Sequence, residues 1–401
     1  MKGVKTLMLL SATMLSVSAL AQQGIFYYVN TNSGYVNSKT IDVMSNDNGL
    51  VVLNECSNAK YENPAIQIIE LNKSFIKTSE NIVKVDNMES VSGFSKLGNG
   101  NYSIFVNANT NTSTPVQVLA SAGYKDLGQN KFAEQQQEAF IDKTELNGKV
   151  FALSTHTAEK GKYEIVLTCF DANSGQKQWT KNVSNETNES ADAIEADNLG
   201  NMVVLGRKYS DNGTEYIPIL YKLNDEGGIV WKKSGVDMPS NFYSQSISIN
   251  KNGEIYYACG LTQRANVLQT KVIKLDANGN TKRTININEF TSNGSISLAS
   301  GKVLLFGSRF HTDSKQVVTK GSYVILDSDL DELSNKTLAV DDKPDSDFKY
   351  NTTSSSDLQS AVELESGSIV MIGKVTMPQA GGNEKQNNTI VVVADAYGNY
   401  K

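Results

Sequence analysis

Apolar residues come in short blocks along this chain, separated by polar turns that end in glycine. The stretch from Asp192 to Trp231 shows the pattern once in full. A short strand (192–196) leads through the turn Asp197-Asn198-Leu199-Gly200-Asn201 into the apolar run Met202-Val203-Val204-Leu205-Gly206. A polar loop follows, then a third strand (217–223), a second turn (224–228) and a fourth strand opening Ile229-Val230-Trp231. Runs this short, bounded by turn residues, are strands rather than helices. Turns built on Asn, Asp and Gly are hairpin chemistry, because glycine takes positive φ without penalty. The unit is a four-stranded antiparallel meander.

Most of the chain repeats it. A polar turn with glycine precedes an apolar strand at Gly49, Gly100, Gly148, Gly200, Gly253, Gly301 and Gly367, with spacings of 51, 48, 52, 53, 48 and 66 residues. A third strand follows each (66–71, 116–120, 165–171, 219–223, 271–276, 323–327 and 389–395), then a turn such as Asp276-Ala277-Asn278-Gly279 or Asp395-Ala396-Tyr397-Gly398. Seven four-stranded units at about 50 residues each predict an all-β fold, a seven-bladed β-propeller. Residues 130–139 have helix-forming composition but sit between strands, and are read as one exposed turn.

The chain ends support a closed ring. The last copy stops at Lys401, where its fourth strand is due, and an orphan strand, Ile25-Phe26-Tyr27-Tyr28-Val29, precedes the first copy. A ring must hide its sheet edges. Residues 25–31 are therefore expected to complete the last blade, giving one domain over 22–401.

Ahead of it, residues 1–21 read as a signal peptide. Lys2 and Lys5 flank an apolar run (7–20), and Ala19-Leu20-Ala21 is a cleavage site before Gln22. The run is shorter than the roughly 20 residues of a spanning helix, so the mature protein is expected to be exported and not membrane-inserted. Loss of Lys2 and Lys5 takes the side-chain charge from −6 to −8. An acidic balance without Lys/Arg clusters argues against nucleic acid as a partner. Cys56, Cys169 and Cys259 are far apart, form no CxxC pair, and are read as buried thiols.

The candidate chemistry lies where the copies differ, in the loops between second and third strands. Arg207, Lys208, Arg264, Arg309, His311 and Lys374 stand in or beside them. Arg207, Arg309 and Lys374 each follow a glycine that ends a second strand, so matching positions could converge on one anion; the plainer reading is scattered surface charge. His156 and His311 are placed in equivalent loops, and two histidines cannot make a three-His zinc site. Asp327-Ser328-Asp329-Leu330-Asp331-Glu332 lacks the glycine and the final glutamate of a Ca²⁺ loop and is read as a hairpin turn. The acidic run Asp341–Asp347 is read as a solvated insertion. Asp192, Glu195 and Glu363 fall on innermost strands and could face the axis, but sequence spacing does not give a glycosidase pair its separation. No GxSxG, HExxH, Walker or dinucleotide motif is present, and neither a metal nor a cofactor is expected.

Phe170-Asp171-Ala172-Asn173-Ser174-Gly175-Gln176-Lys177-Gln178-Trp179 resembles the repeat of quinoprotein-type (PQQ-like) propellers, in which Asp…Gly…Trp closes each blade. Leu223 to Trp231 is similar; Leu275 to Asn280 fits too, with Arg283 in the Trp position. Residues 197–206 also resemble the D-x-x-G-N-x-Y-V-x-G repeat of secreted bacterial propellers. The resemblance implies fold and export. No vicinal Cys pair exists, so it does not imply quinone-dependent dehydrogenase activity. The expected role is a monomeric, non-catalytic propeller binding a protein or glycan at the envelope or outside the cell. The alternatives are a polysaccharide lyase or glycosidase using the axial channel and, by analogy with non-catalytic members of the PQQ-like class, an envelope assembly scaffold.

Overall fold

The computed structural model describes residues 24–28, 35, 37–60, 62–109, 113–133, 137–158, 161–184, 188–210, 213, 215–235, 242, 244–264, 267–313, 316–338, 355–378 and 385–401. The leader and the run 341–347 lie outside them. Among the described residues the protein is all-β, with 28 strands in seven antiparallel four-stranded sheets. Among them no helix is long and apolar enough to cross a membrane. Residues 130–131 and 138–139 belong to strands, so the helix-forming composition there yields no helix in the described part.

The blades follow chain order. Their innermost strands are β2 (Asn37–Asn46), β6 (Met88–Lys96), β10 (Glu138–Leu146), β14 (Glu189–Ala196), β18 (Ser244–Ile249), β22 (Thr291–Ser297) and β26 (Ser356–Glu363). Blades 1 to 6 are contiguous. Blade 7 takes three strands from the C-terminal end and its outermost, β1 (Ile25–Tyr28), from the N-terminal end. β1 pairs antiparallel with β28 (Lys385–Ala394), from Ile25 opposite Val392 to Tyr28 opposite Thr389. The C-terminus closes on the same strand: the Lys401 amide donates to the Val393 carbonyl, 3.1 Å. The clasp expected over 25–31 is seen as the β1–β28 ladder over Ile25–Tyr28, and residues 29–31 lie outside the described residues.

The apolar blocks are continuous because each middle strand is buried on both faces. In β15 (Asn201–Tyr209), Val203 and Leu205 pack toward blade 5, while Met202 and Val204 pack toward blade 3. The core is accordingly seven clusters, one in each gap between neighbouring blades, including the gap between blades 7 and 1. Cys56, Cys169 and Cys259 are buried and free, and burial pushes their thiols up to about 12, 11 and 11. Such thiols are inert.

The ring has two rims. One, the turn rim, carries the tight turns within each blade. The other, the loop rim, carries the second-to-third-strand connections and the links between blades. On the turn rim the repeat residues dock one blade on the next. Gly279 has φ +73°, and a Cβ there would meet the Trp231 ring at 3.0 Å; Gly227 stands in the same way against Trp179. The Trp231 indole donates to Ala277 O at 3.2 Å. Arg283, in the Trp position of blade 5, instead pairs with Asp331 of blade 6. Lysines make the same step. Lys149 reaches Asp225 at 3.3 Å, Lys274 reaches Asp329 at 3.2 Å, and Lys302 donates to Ala396 O at 2.8 Å. Asp327 accepts the Asp329 and Asp331 amides, so the 327–332 run is a hairpin turn.

Candidate functional site

The glycine that ends a second strand has a structural cause. In six blades the innermost strand is bulged at one level, between Thr40 and Asp42, Val91 and Gly93, Phe140 and Asp142, Ala191 and Ala193, Ser292 and Gly294, and Leu358 and Ser360. In blades 4, 6 and 7 a glycine lies opposite. A Cβ on Gly307 would stand 1.9 Å from Thr291 O; Gly206 and Gly373 face Ser190 O and Asp357 O at 2.3 and 1.9 Å. In these three blades the extra residue of the bulge is polar: Asp192, Asn293 and Gln359. In blades 1 and 3 it is Ile41 and Ile141.

Asp192 organises the most developed of these positions. Its carboxylate takes Arg207 in a bidentate pair, Nε to Oδ2 and Nη2 to Oδ1, both 2.9 Å. Gln245 of blade 5 also donates to Asp192, and the Tyr257 hydroxyl donates to Gln245 Oε1 at 3.0 Å. Burial pushes the Asp192 carboxyl up, against the pull of Arg207. The Arg207 guanidinium lies 5.1 Å from the Tyr216 ring centre and 5.0 Å from that of Phe242, within cation–π range. Of the cations read from the sequence, this one is committed to a partner on its own blade.

An aromatic row starts from it. Tyr163, Tyr209, Tyr216 and Phe242 follow one another with centroids 5.2, 5.6 and 5.1 Å apart, across blades 3 and 4 to Phe242 on the link into blade 5. Phe242 is fully buried, and the three tyrosines are half-buried. The Tyr209 hydroxyl meets Ser190 Oγ at 3.3 Å. Sequence reading passed over this row. The available signal was Tyr209 and Tyr216 flanking the polar loop of blade 4, where they pair directly across β15 and β16 (Tyr216–Asn224).

Neither Lys374 nor Arg309 joins Arg207. Lys374 sits at the equivalent position of blade 7, opposite Asp357, whose carboxyl burial pushes up while Ser308, Asn293 and Lys374 oppose the shift. Asn293 bridges blades 6 and 7 through Asp357 Oδ1 at 2.7 Å and Leu358 O at 2.8 Å. Arg309 lies one residue further along its strand, so strand alternation sends it to the other face of the sheet. There it donates to Asn288 O and Asn335 Oδ1, 3.1 and 2.8 Å, over the Phe290 ring. Arg264 and His311 lie in strands, and their side chains are outside the described residues. His156 and His311, expected in loops, are on strands 149–157 and 303–313, because the outer hairpins extend beyond the apolar blocks. In blade 6 the pairing continues to Asp313 opposite Gln316. These extensions are Thr-, Val- and Gln-rich, and need no apolar alternation because they project past the core. His156 pairs across the sheet with Glu138 and Glu164, and its buried Nδ1 has no hydrogen-bond partner among the described residues.

Deeper along the axis is a charged cluster. Asp42 of blade 1 reaches Lys143 of blade 3 at 3.7 Å and accepts from Ser360 of blade 7 at 3.1 Å. Lys143 passes Gly93 of blade 2, where a Cβ would sit 3.5 Å from its Cγ. Asp142 accepts the Lys143 amide at 2.8 Å and the Ile194 amide at 3.0 Å. Burial pushes Asp142 up to about 6 and Glu195 up to about 7, the latter helped by Asp142. Blades 5 and 6 contribute serine pairs instead, Ser246 with Ser295 and Ser248 with Ser297, both 3.3 Å. Glu363 is spent elsewhere, accepting the Ala299 amide at 2.6 Å on the turn rim. Among the described residues no group of three or more His, Cys, Asp or Glu is arranged to hold a metal.

The fold is shared with a solved structure. A protein of unknown function from Dyadobacter fermentans superposes with a TM-score of 0.50 at 12% identity, over 93% of this chain and 99% of that one. An ulvan lyase, described as a new family of polysaccharide lyase and bound to -[GlcA(1-4)Rha3S]-, superposes at 0.48 with 10% identity, over 73% of this chain and 82% of its own. At 12% identity the likeness to the first is one of fold alone. No family model matches the chain, and no curated protein matches it.

Proposed function

We propose that this is an exported, non-catalytic propeller that binds a glycan on its loop rim, across blades 3, 4 and 5. The observation that supports this most is the row of half-buried tyrosines beside the Arg207–Asp192–Gln245 group. Sugars present apolar C–H faces and dense hydroxyls. Aromatic rings bury the first, and planar carboxylate, amide and guanidinium groups pair with the second. A rigid sheet holds these side chains in place before any ligand arrives, which lowers the ordering cost of binding. Export is part of the proposal and rests on residues 1–21; sequencing the mature protein should give Gln22 as the first residue. The functional test is a glycan array with the intact protein and a Tyr163→Ala/Tyr209→Ala variant. Binding by the first and loss by the second is the expected result. An array with no hit, together with capture of a defined protein partner, would favour a scaffold instead.

A second reading, catalysis on polysaccharide at the axis, is favoured by one observation. Asp142 and Glu195 are both raised toward neutrality beside Lys143, as acid–base groups often are. Turnover of a polysaccharide panel that Glu195→Gln abolishes would establish it. Absence of turnover leaves the cluster as a structural lock between blades.

A further inference from the structure

We infer that the glycan taken by this rim is uncharged, a neutral oligosaccharide or single polysaccharide chain rather than a uronate or sulfated one. The inference rests on the glycan reading above and specifies its ligand.

Recognition of an acidic sugar needs a cation whose charge is not already matched. Arg207 is the cation at the centre of the aromatic row, and Asp192 matches its charge. Nε and Nη2 are both on Asp192, and the guanidinium face lies against Tyr216 and Phe242. A sugar carboxylate would either meet a guanidinium whose charge Asp192 already cancels, or displace Asp192 and leave a half-buried carboxylate without its counter-charge. Separating such a pair is strongly unfavourable. Lys232 of blade 4 is likewise held, 3.1 Å from the fully buried Glu189. An anionic chain would meet cations that are already paired.

An uncharged sugar meets no such obstacle. Its hydroxyls donate and accept together, which suits Asp192, the Gln245 amide and the Tyr209 hydroxyl without opening the Arg207 pair. The shape narrows the ligand further. Tyr163 and Tyr209 are inclined by 45°, and Tyr209 and Tyr216 by 57°. Such a surface is twisted, so it suits one soluble chain and not the flat face of a crystalline array.

The test is affinity electrophoresis of the full protein in gels cast with soluble neutral polysaccharides (a mixed-linkage glucan, a galactomannan, starch). Parallel gels carry polygalacturonate or a carrageenan, and all are run at low and high salt. Retardation by a neutral polymer, unchanged by salt and weakened roughly tenfold or more in Tyr209→Ala, is expected. Asp192→Asn supplies the converse. It removes the counter-charge and leaves Arg207 available, so retardation by acidic polymers should appear where the parent shows none. Tyr209→Ala should melt close to the parent, and Asp192→Asn, though destabilised, should keep one cooperative transition, which separates a binding loss from a folding loss. Retardation of the parent by acidic polymers alone, abolished by salt, overturns this inference and leaves the glycan reading standing. Retardation by none of the polymers overturns both.

Discussion

The two rims of the ring are made by the same strands, yet they treat the repeat in opposite ways. On the turn rim each blade meets the next through recurring parts: a Trp or Arg over the next turn, a lysine on its aspartate or carbonyl, a glycine where the ring lands. On the loop rim the bulge recurs but its occupant does not. Asp192 builds a clamp with Arg207, Asn293 bridges to Asp357, and Ile41 and Ile141 do neither. Residues that recur are held by the geometry of stacking blades; those that differ at one position are free to serve a ligand. The lesson is to look for function where position is shared and chemistry is not.

The strongest way to break the ring tests both rims at once. Deleting residues 25–31 removes β1 and exposes the edge of β28. Loss of the cooperative thermal transition, with rapid proteolysis, is expected; a truncation that melts like the full chain would refute the clasp. Next comes Gly307→Val, which sets a side chain on Thr291 O, already 1.9 Å from an ideal Cβ. Overpacking against backbone should destabilise by about 3 kcal/mol or more in urea unfolding. A loss below about 1 kcal/mol would mean that the bulge yields and does not dictate the glycine.

A matched pair of truncations sharpens the comparison. Trp231→Ala on the turn rim removes the cover over Gly279 and the bond to Ala277, and should cost about 2 kcal/mol, less than a fully buried tryptophan. Glycan affinity should not change. Tyr209→Ala on the loop rim should cost about 1 kcal/mol or less and remove affinity. If both substitutions act on stability and affinity alike, the division between rims fails.

What could be read from the chain follows the same division. The seven blades and the closing strand were legible because stacking requires the same apolar blocks and glycine turns seven times. The site was legible only in part. Arg207 stood out by its place after Gly206, but nothing local said that Asp192, fifteen residues earlier, would occupy it; that follows from a bulge, which leaves no periodic trace. The aromatic row joins residues 163, 209, 216 and 242 from blades 3 and 4 and the link into blade 5, and such convergence lies in the ring rather than in any one stretch. Arg309 looked equivalent to Arg207 and is not, because a shift of one residue along a strand reverses the face.

The two parts of the molecule should also differ in their response to pH, and this is the smallest effect expected. On the turn rim the carboxyls of Asp171 and Asp225 lie below their ordinary range, held by hydrogen bonds from Ser174 and from Asn147 and Lys149. Groups of this kind stabilise above the unfolded value and lose that contribution as pH falls through the lowered one, so the turn rim is sensitive to acid. At the axis the sign reverses. Asp142 and Glu195 stand at about 6 and 7 against ordinary values of 3.8 and 4.5, so the folded ring binds more protons than the unfolded chain between those limits. That contribution is complete below pH 4 and is lost as pH rises through 6 and 7. Urea midpoints measured between pH 5 and 8 should therefore decline. Glu195→Gln, which keeps the shape and cannot ionise, should flatten the upper part of that decline while leaving the acid limb unchanged. A decline as steep in the variant as in the parent would remove Glu195 from the account and leave Asp142 alone to carry it.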